Sequence, residues 1–340
     1  MTSPDTQTLT VPEISAWASR VLAQAGVDTK GVELLADLVT RSETEEPRSH
    51  GLRMLPVYVQ SFRSGYANPT AAPKTCQIGP TLLRSDGDNG YAQIASAQAR
   101  PALIALAREA GLAGFACANC HHLGALRFEL EPLAEAGLVA FGVVNSLSMV
   151  VPHGGVRPTF GTNPMAFACP RPDQPPIVWD QASSVVALMD VKLAAAEGHS
   201  LPRPGGLGAD GTPTTDPQAI LESRALLPFG EHKGSAIALM VEVLGAALAG
   251  GTLSTDNADR EAHGALNIKG GVTLIAMDPA RWGNPVFEAQ ITRLCAEIEG
   301  NGAARLPGDG RLSRRAKAQA EGVAVNTVLL AELQALGDEV

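Results

Sequence analysis

From about residue 80 the chain interleaves short apolar runs with helix-length segments, and this alternation restricts its fold more than any other feature. Gly114 to Ala118, Leu138 to Asn145, Ile177 to Asp180 and Val272 to Met277 have the length and apolar content of buried strands. Arg100 to Ala110, Leu126 to Ala136 and Lys233 to Ala249 read as helices between them. Such a chain must cover a sheet with helices, which makes it an α/β protein, although the spacing is too loose to require all strands to be parallel. Ahead of this region, Ile14, Trp17, Val21 and Leu22 recur at helical spacing, opened by Thr10 and Pro12 and closed by Gly26. A second helix is expected from Gly31 to Thr40. A third is expected from Ser49 or its neighbour, through Leu55, Val59 and Phe62, to Gly65, with Pro56 in its first turns. Pro202 to Pro217, dense in Gly, Pro, Thr and Asp, reads as an irregular surface loop.

A chain of 340 residues, 45% of them hydrophobic, has material for about two domains. Its 26 Lys and Arg against 35 Asp and Glu leave a net charge of −9, which argues against a sequence-independent grip on nucleic acid. No stretch approaches the roughly 18–20 apolar residues of a membrane span. Met1 to Leu22 lacks the basic start and apolar run of a secretory signal. Five cysteines, an odd number, are expected to be free thiols in a reducing cytoplasm.

Three motifs suggest chemistry that their surroundings do not support. Cys117-Ala118-Asn119-Cys120-His121 matches a haem-attachment or redox dithiol pattern, but it lies in a buried strand of a chain without an export signal. Gly206-Leu207-Gly208-Ala209-Asp210-Gly211 matches G-x-G-x-x-G, yet no strand leads into it and no helix starts within it. His121-His122 has no second metal-spaced pair, so no metal is expected.

Four other segments place polar residues at element ends. They are Ser49-His50-Gly51-Leu52-Arg53, Asn119 to Ala125, Gly161 to Phe167 with Asp180 to Ser184, and Leu227 to Gly234. His50 and Arg53, three apart at a helix start, would share a seat for a substrate carboxylate, with Arg53 as a bidentate clamp; His50 could instead be a capping residue. Asp180 ends an apolar strand, where a carboxylate must be paired or must cap a helix. Thr162 and Asn163 could bond a ligand or serve an ordinary turn. Lys233, at a helix start, suits a phosphate, or is simply a solvated lysine.

Together these segments resemble the malate/L-lactate dehydrogenase family of the second type, which is unrelated to the Rossmann-fold lactate dehydrogenases. The His121-His122-x-x-Ala125-Leu126 stretch with Glu131-Pro132, and the loop before Leu227-Pro228-Phe229-Gly230, look closest to its Δ1-piperideine-2-carboxylate/Δ1-pyrroline-2-carboxylate reductases. The resemblance runs from about residue 10 to residue 330. It implies a non-Rossmann NAD(P)-binding α/β domain over residues 81–284, and a helical domain built from 1–80 and about 285–340, paired as a homodimer. It also implies a relay of Ser49, His50 and Asp180 with His50 as proton donor, and substrate contacts from Arg53 and Thr162. Cofactor contacts would come from His121, His122, Leu123, Gly124 and Ala125, from Asp180, Gln181 and Ala182, and from His232 and Lys233. The segment Arg305, Leu306, Pro307, Gly308 and Asp309 would complete them. Extra arginine there favours NADPH over NADH, although a basic helix start accounts equally for Arg311, Arg314 and Arg315. The expected activity is reduction of a cyclic imino acid. The alternatives are an open-chain 2-oxo acid, an N-methyl amino acid reaction and, in another class, a redox-thiol or non-catalytic protein. The chain departs from the family pattern at Glu231, where glycine is expected, at Leu123, where an aromatic is usual, and at Leu188-Met189.

Overall fold

The computed structural model describes residues 5–45, 50–122, 124–256 and 269–338. It opens with β1 (Thr6–Leu9), α1 (Val11–Gln24), α2 (Thr29–Glu45) and α3 (Leu55–Arg63). Next come β2 (Lys74–Gly79), β3 (Leu82–Tyr91), α4 (Ala92–Ala110), β4 (Leu112–His121), α5 (Arg127–Glu135) and β5 (Val139–Val144). A middle section adds β6 (Ser148–Val150), β7 (Phe160–Gly161), β8 (Met165–Arg171), β9 (Gln174–Gln181) and α6 (Leu188–Glu197). It continues through β10 (Gly206–Leu207), β11 (Pro213–Thr214), α7 (Pro217–Ser223) and α8 (His232–Glu242). After β12 (Lys269–Met277) follow α9 (Phe287–Glu299), α10 (Asp309–Glu321), β13 (Val323–Asn326) and α11 (Thr327–Asp338).

Local chemistry sets several boundaries. Thr10 and Glu13 form a reciprocal capping box at the start of α1, with the Glu13 carboxylate accepting the Thr10 N–H at 2.7 Å. The helix expected from Ser49 begins instead at Leu55, behind a 3-10 turn over Leu52–Met54. Pro56 explains the difference: it has no N–H to give a preceding carbonyl, so it must fall in the first turn. His50 therefore precedes the helix and does not open it.

Seven strands form one sheet in the order β2-β3-β4-β12-β5-β8-β9. Only β3 and β4 run parallel; every other neighbouring pair is antiparallel. Two tight hairpins, β2–β3 and β8–β9, account for much of this. The strands of this sheet lie between Lys74 and Met277, and α9 packs on β8.

Alternation along β12 shows how the faces are covered. Val272, Leu274 and Ala276 join the core under α4 and α5, whereas Thr273 points the other way and donates to the Leu244 carbonyl at 2.7 Å. Leu244 belongs to a π-helical turn, Val243–Leu248, that continues α8 across the sheet. Contact there is backbone to backbone: a Cβ on Gly271 would lie 2.2 Å from the Gly245 carbonyl oxygen.

A second core gathers α1, α2 and α3 with β13 and α11, and β1 pairs with β13. Where this unit meets the sheet, six ionic side chains arrive as i, i+4 pairs: Arg41 and Glu45 on α2, Arg127 and Glu131 on α5, Arg311 and Arg315 on α10. Glu45 is wholly buried; it lies 3.3 Å from Arg41, 3.5 Å from Arg127 and 3.5 Å from Arg311, and accepts Arg315 Nε at 2.7 Å. Glu131 pairs with Arg41 and lies 3.6 Å from Arg315. Removing one side of a buried ionic group leaves uncompensated charge, at a cost of about 3–5 kcal/mol. Glu45→Gln is accordingly expected to lower unfolding stability by about 3 kcal/mol or more in urea titration. Loss of the exposed Lys317–Glu321 pair should change it by less than about 0.5 kcal/mol.

Candidate functional site

Asp180 stands near the end of β9 with its side chain only 21% exposed. Its Oδ2 accepts the Arg127 backbone N–H at 3.4 Å and lies 3.6 Å from Arg127 Nη1. The carboxylate therefore caps a helix, but that helix is α5, which lies far from it in sequence. His50, in the turn before Leu52–Met54, lies within electrostatic reach of Asp180, Arg127 and His122. Burial is the largest effect on its imidazole and drives it down to about 4; Asp180 opposes the shift, and Arg127 and His122 add to it. The ring is thus neutral at pH 7. Arg53 lies exposed in the 3-10 turn and makes no hydrogen bond or ion pair among the described residues, so its guanidinium is available to a ligand. Ser49 and Leu123 lie outside the described residues.

Several expected ligand contacts are committed to the protein itself. His121 Nε2 is 3.0 Å from Asn89 Oδ1 and its ring packs on Tyr66. His122 Nε2 is 3.0 Å from Glu129 Oε1, with both side chains at most 5% exposed. From this loop the backbone at Gly124, at φ +109°, and Ala125 can face a ligand, while Nε2 of each imidazole is engaged within the protein. Thr162 shares a hydrogen bond with Ser146 at 2.9 Å, and Asn163 donates to Glu242 and to the Ala238 carbonyl. Cys117 and Cys120 are buried free thiols, and Cys117 beside it and burial push the Cys120 thiol up, as expected of inert core cysteines.

Other expected residues stay open. His232 and Lys233 are exposed at the start of α8, which has no side-chain cap, and Lys233 has no ionic partner among the described residues. Gln181 and Ala182 line a cavity of about 350 Å³ together with Ser184 and Arg203. Arg305 is exposed, whereas Leu306 is buried and donates its N–H to Asp309 at 3.1 Å. Gly308, at φ +103°, lies beside the Val178 carbonyl, which brings the segment against the strand that carries Asp180. Arg311, Arg314 and Arg315, by contrast, are spent on Glu45, Glu131 and the Val178 carbonyl. Exposed cations, an uncapped helix start and two left-handed glycine turns fit an extended anionic ligand such as a dinucleotide.

The sequence matches the family model described as malate/L-lactate dehydrogenase over residues 9–334. This chain belongs to that family. Among family relatives, the Δ1-pyrroline-2-carboxylate/Δ1-piperideine-2-carboxylate reductase of Pseudomonas syringae pv. tomato is 41% identical over 331 residues, covering 97% of this chain and 96% of its own. The corresponding reductase of Pseudomonas putida is 42% identical over 340 residues, covering 99% of both. In solved structures, Δ1-piperideine-2-carboxylate reductase from P. syringae superposes with a TM-score of 0.93 at 41% identity, over 97% of this chain and all of that one. A dehydrogenase from Sinorhizobium meliloti superposes with a TM-score of 0.88 at 30% identity, over 98% of this chain and 99% of that one.

Sequence reasoning missed Arg127, Glu129, Glu45 and Glu131, although charged residues four apart on α2, α5 and α10 were the available signal. The departure at Glu231 has a structural counterpart. Glu231 takes φ +58° and ψ −121°, a conformation suited to glycine. Glu231→Gly should raise stability by about 0.5–1 kcal/mol in a thermal shift assay, and Glu231→Ala should give no such gain.

Proposed function

We propose that the protein is an NADPH-dependent reductase of cyclic 2-imino acids, converting Δ1-piperideine-2-carboxylate to L-pipecolate and Δ1-pyrroline-2-carboxylate to L-proline. The observation that carries this reading is a half-buried, neutral His50 within electrostatic reach of Asp180 and close in sequence to the free Arg53. The names of the relatives at 41–42% identity point to the same substrates.

A bound reduced nicotinamide would supply the hydride. Arg53 would clamp the substrate carboxylate by two parallel N–H donors, which sets the C2 atom in place. Asp180 would hold the His50 ring and favour its charged form, while Ser49 would complete the relay. A histidine held near 4 carries little proton at neutral pH, and this bears on substrate choice. A cyclic imine can enter already protonated on nitrogen, so that hydride addition at C2 gives a neutral amine. A ketone gives an alkoxide that needs a proton at once, which suits this site less well. The substrate's own carboxylate, held beside His50, would raise the proton affinity of the ring.

His232, Lys233, Gly124, Ala125, Gln181, Ala182 and Arg305 to Asp309 would hold the dinucleotide. The free Arg305 supports a 2′-phosphate, and therefore NADPH, without help from the committed Arg311, Arg314 and Arg315. We assign the protein to the cytoplasm because its five free cysteines suit a reducing compartment. None of its described helices is long and apolar enough to cross a membrane. A homodimer is supported by the apolar face of α8 and its continuation, where Leu239, Met240, Val243 and Leu248 are exposed.

NADPH oxidation should be rapid with Δ1-piperideine-2-carboxylate and at least about tenfold slower with pyruvate at pH 7; the reverse order refutes the proposal. His50→Ala should lose about 100-fold or more in kcat while still quenching NADPH fluorescence. Arg53→Met should raise KM for the imino acid by about 10- to 100-fold, and an unchanged KM removes the clamp.

A further inference from the structure

We propose that Arg127 is a positioning residue that fixes the Asp180 carboxylate and offsets its charge where it faces His50. The inference rests on the reading of His50 and Asp180 given above. Arg127 is the first residue of α5, and its side chain is 1% exposed. It holds Asp180 twice, by its backbone N–H at 3.4 Å and by Nη1 at 3.6 Å to the same oxygen. The other arm of the guanidinium, Nη2, lies 3.5 Å from the buried Glu45, and the group stacks on the Phe128 ring with 4.4 Å from Cζ to the ring centroid. One rigid fork thus spans two carboxylates, one in the structural ion cluster and one in the site.

The charges around His50 are divided among several elements. Asp180 on β9 favours the imidazolium, whereas Arg127 on α5 and His122 after β4 oppose it. Further out, Glu129 holds His122, Glu45 on α2 faces Arg127, and Arg311 on α10 lies 3.5 Å from Glu45. Asp180 alone would raise the proton affinity of His50; with Arg127 beside it, much of that anionic influence is neutralised. Burial, with Arg127 offsetting Asp180, keeps the ring neutral until an anionic substrate arrives, so that protonation is coupled to binding. An unbound site with a charged imidazolium would instead bind stray carboxylates.

The test reads the His50 ring directly by NMR titration, assigned through loss of its signal in His50→Gln. In the wild-type protein the ring should titrate at least one unit below the ordinary 6.5 of histidine. Arg127→Met should move the titration up by about 0.5–1 unit and carry the acid limb of kcat/KM with it. Arg127→Lys, which keeps the charge but not the fork, should leave the titration within about 0.2 unit while lowering kcat severalfold. A purely structural role would lower thermal stability in both variants and leave the titrations superimposed, which overturns the proposal. If Arg127→Met does not fold, Arg127→Gln carries the same expectation. If neither folds, the wild-type titration decides, and a value at or above 6.5 refutes the inference. A ring titration that moves while the acid limb of kcat/KM stays fixed supports the role of Arg127 and instead removes His50 as the proton carrier.

Discussion

A single carboxylate, Glu45, organises the meeting of the terminal helices with the sheet. It has no exposure to water and faces four arginines from three helices, α2, α5 and α10. None of these charges could be buried alone, because each would lose several kcal/mol of hydration without a partner. Apolar packing attracts the two units without specifying their angle; the forks of Arg127, Arg311 and Arg315 each demand a particular approach. Through Arg127 the same cluster reaches Asp180, so the geometry that joins the units also orients the proposed relay.

This arrangement explains how far the site could be read in the sequence. The core elements declared themselves through apolar periodicity, and Thr10 with Pro12 marked the start of α1. Resemblance to a family brought His50 and Asp180 to notice, and the structure brings them close across 130 residues of chain. What remained hidden was the physical cause of the environment around His50. The sequence placed His50 at the start of a helix, whereas Pro56 displaces that start to Leu55 and burial lowers the imidazole. Strand extent was equally hidden: β3 carries Asp86, Gly87, Asp88, Asn89 and Gly90, residue types common in turns, yet the strand continues through a register shift. Turn residues inside a strand mimic its end, and only pairing to β4 resolves the ambiguity.

The arginines of α10 illustrate a related difficulty. Clustered Arg near a suspected phosphate site is persuasive on composition, but Arg311, Arg314 and Arg315 are already partnered by Glu45, Glu131 and backbone carbonyls. Charge available to a ligand is total charge less internal pairing. By that measure Arg53, Lys233 and Arg305 matter more than their more numerous neighbours. The histidine doublet follows the same logic, since Asn89 and Glu129 each engage Nε2 of one ring.

The pairing of β1 with β13, in which Thr6 faces Asn326, bears on how the molecule comes into being. A ribosome releases β1, α1, α2 and α3 long before β13 and α11, which complete their core. The sheet, whose strands lie between residues 74 and 277, can assemble first as a nascent unit. The early helices must wait, with Leu22, Leu35 and Leu55 uncovered, until distant segments arrive. Since α10 also comes late, Glu45 meets its last arginines near the end of synthesis. The proposed relay is therefore among the last things to be fixed in place, and an incompletely made chain should fold only in part.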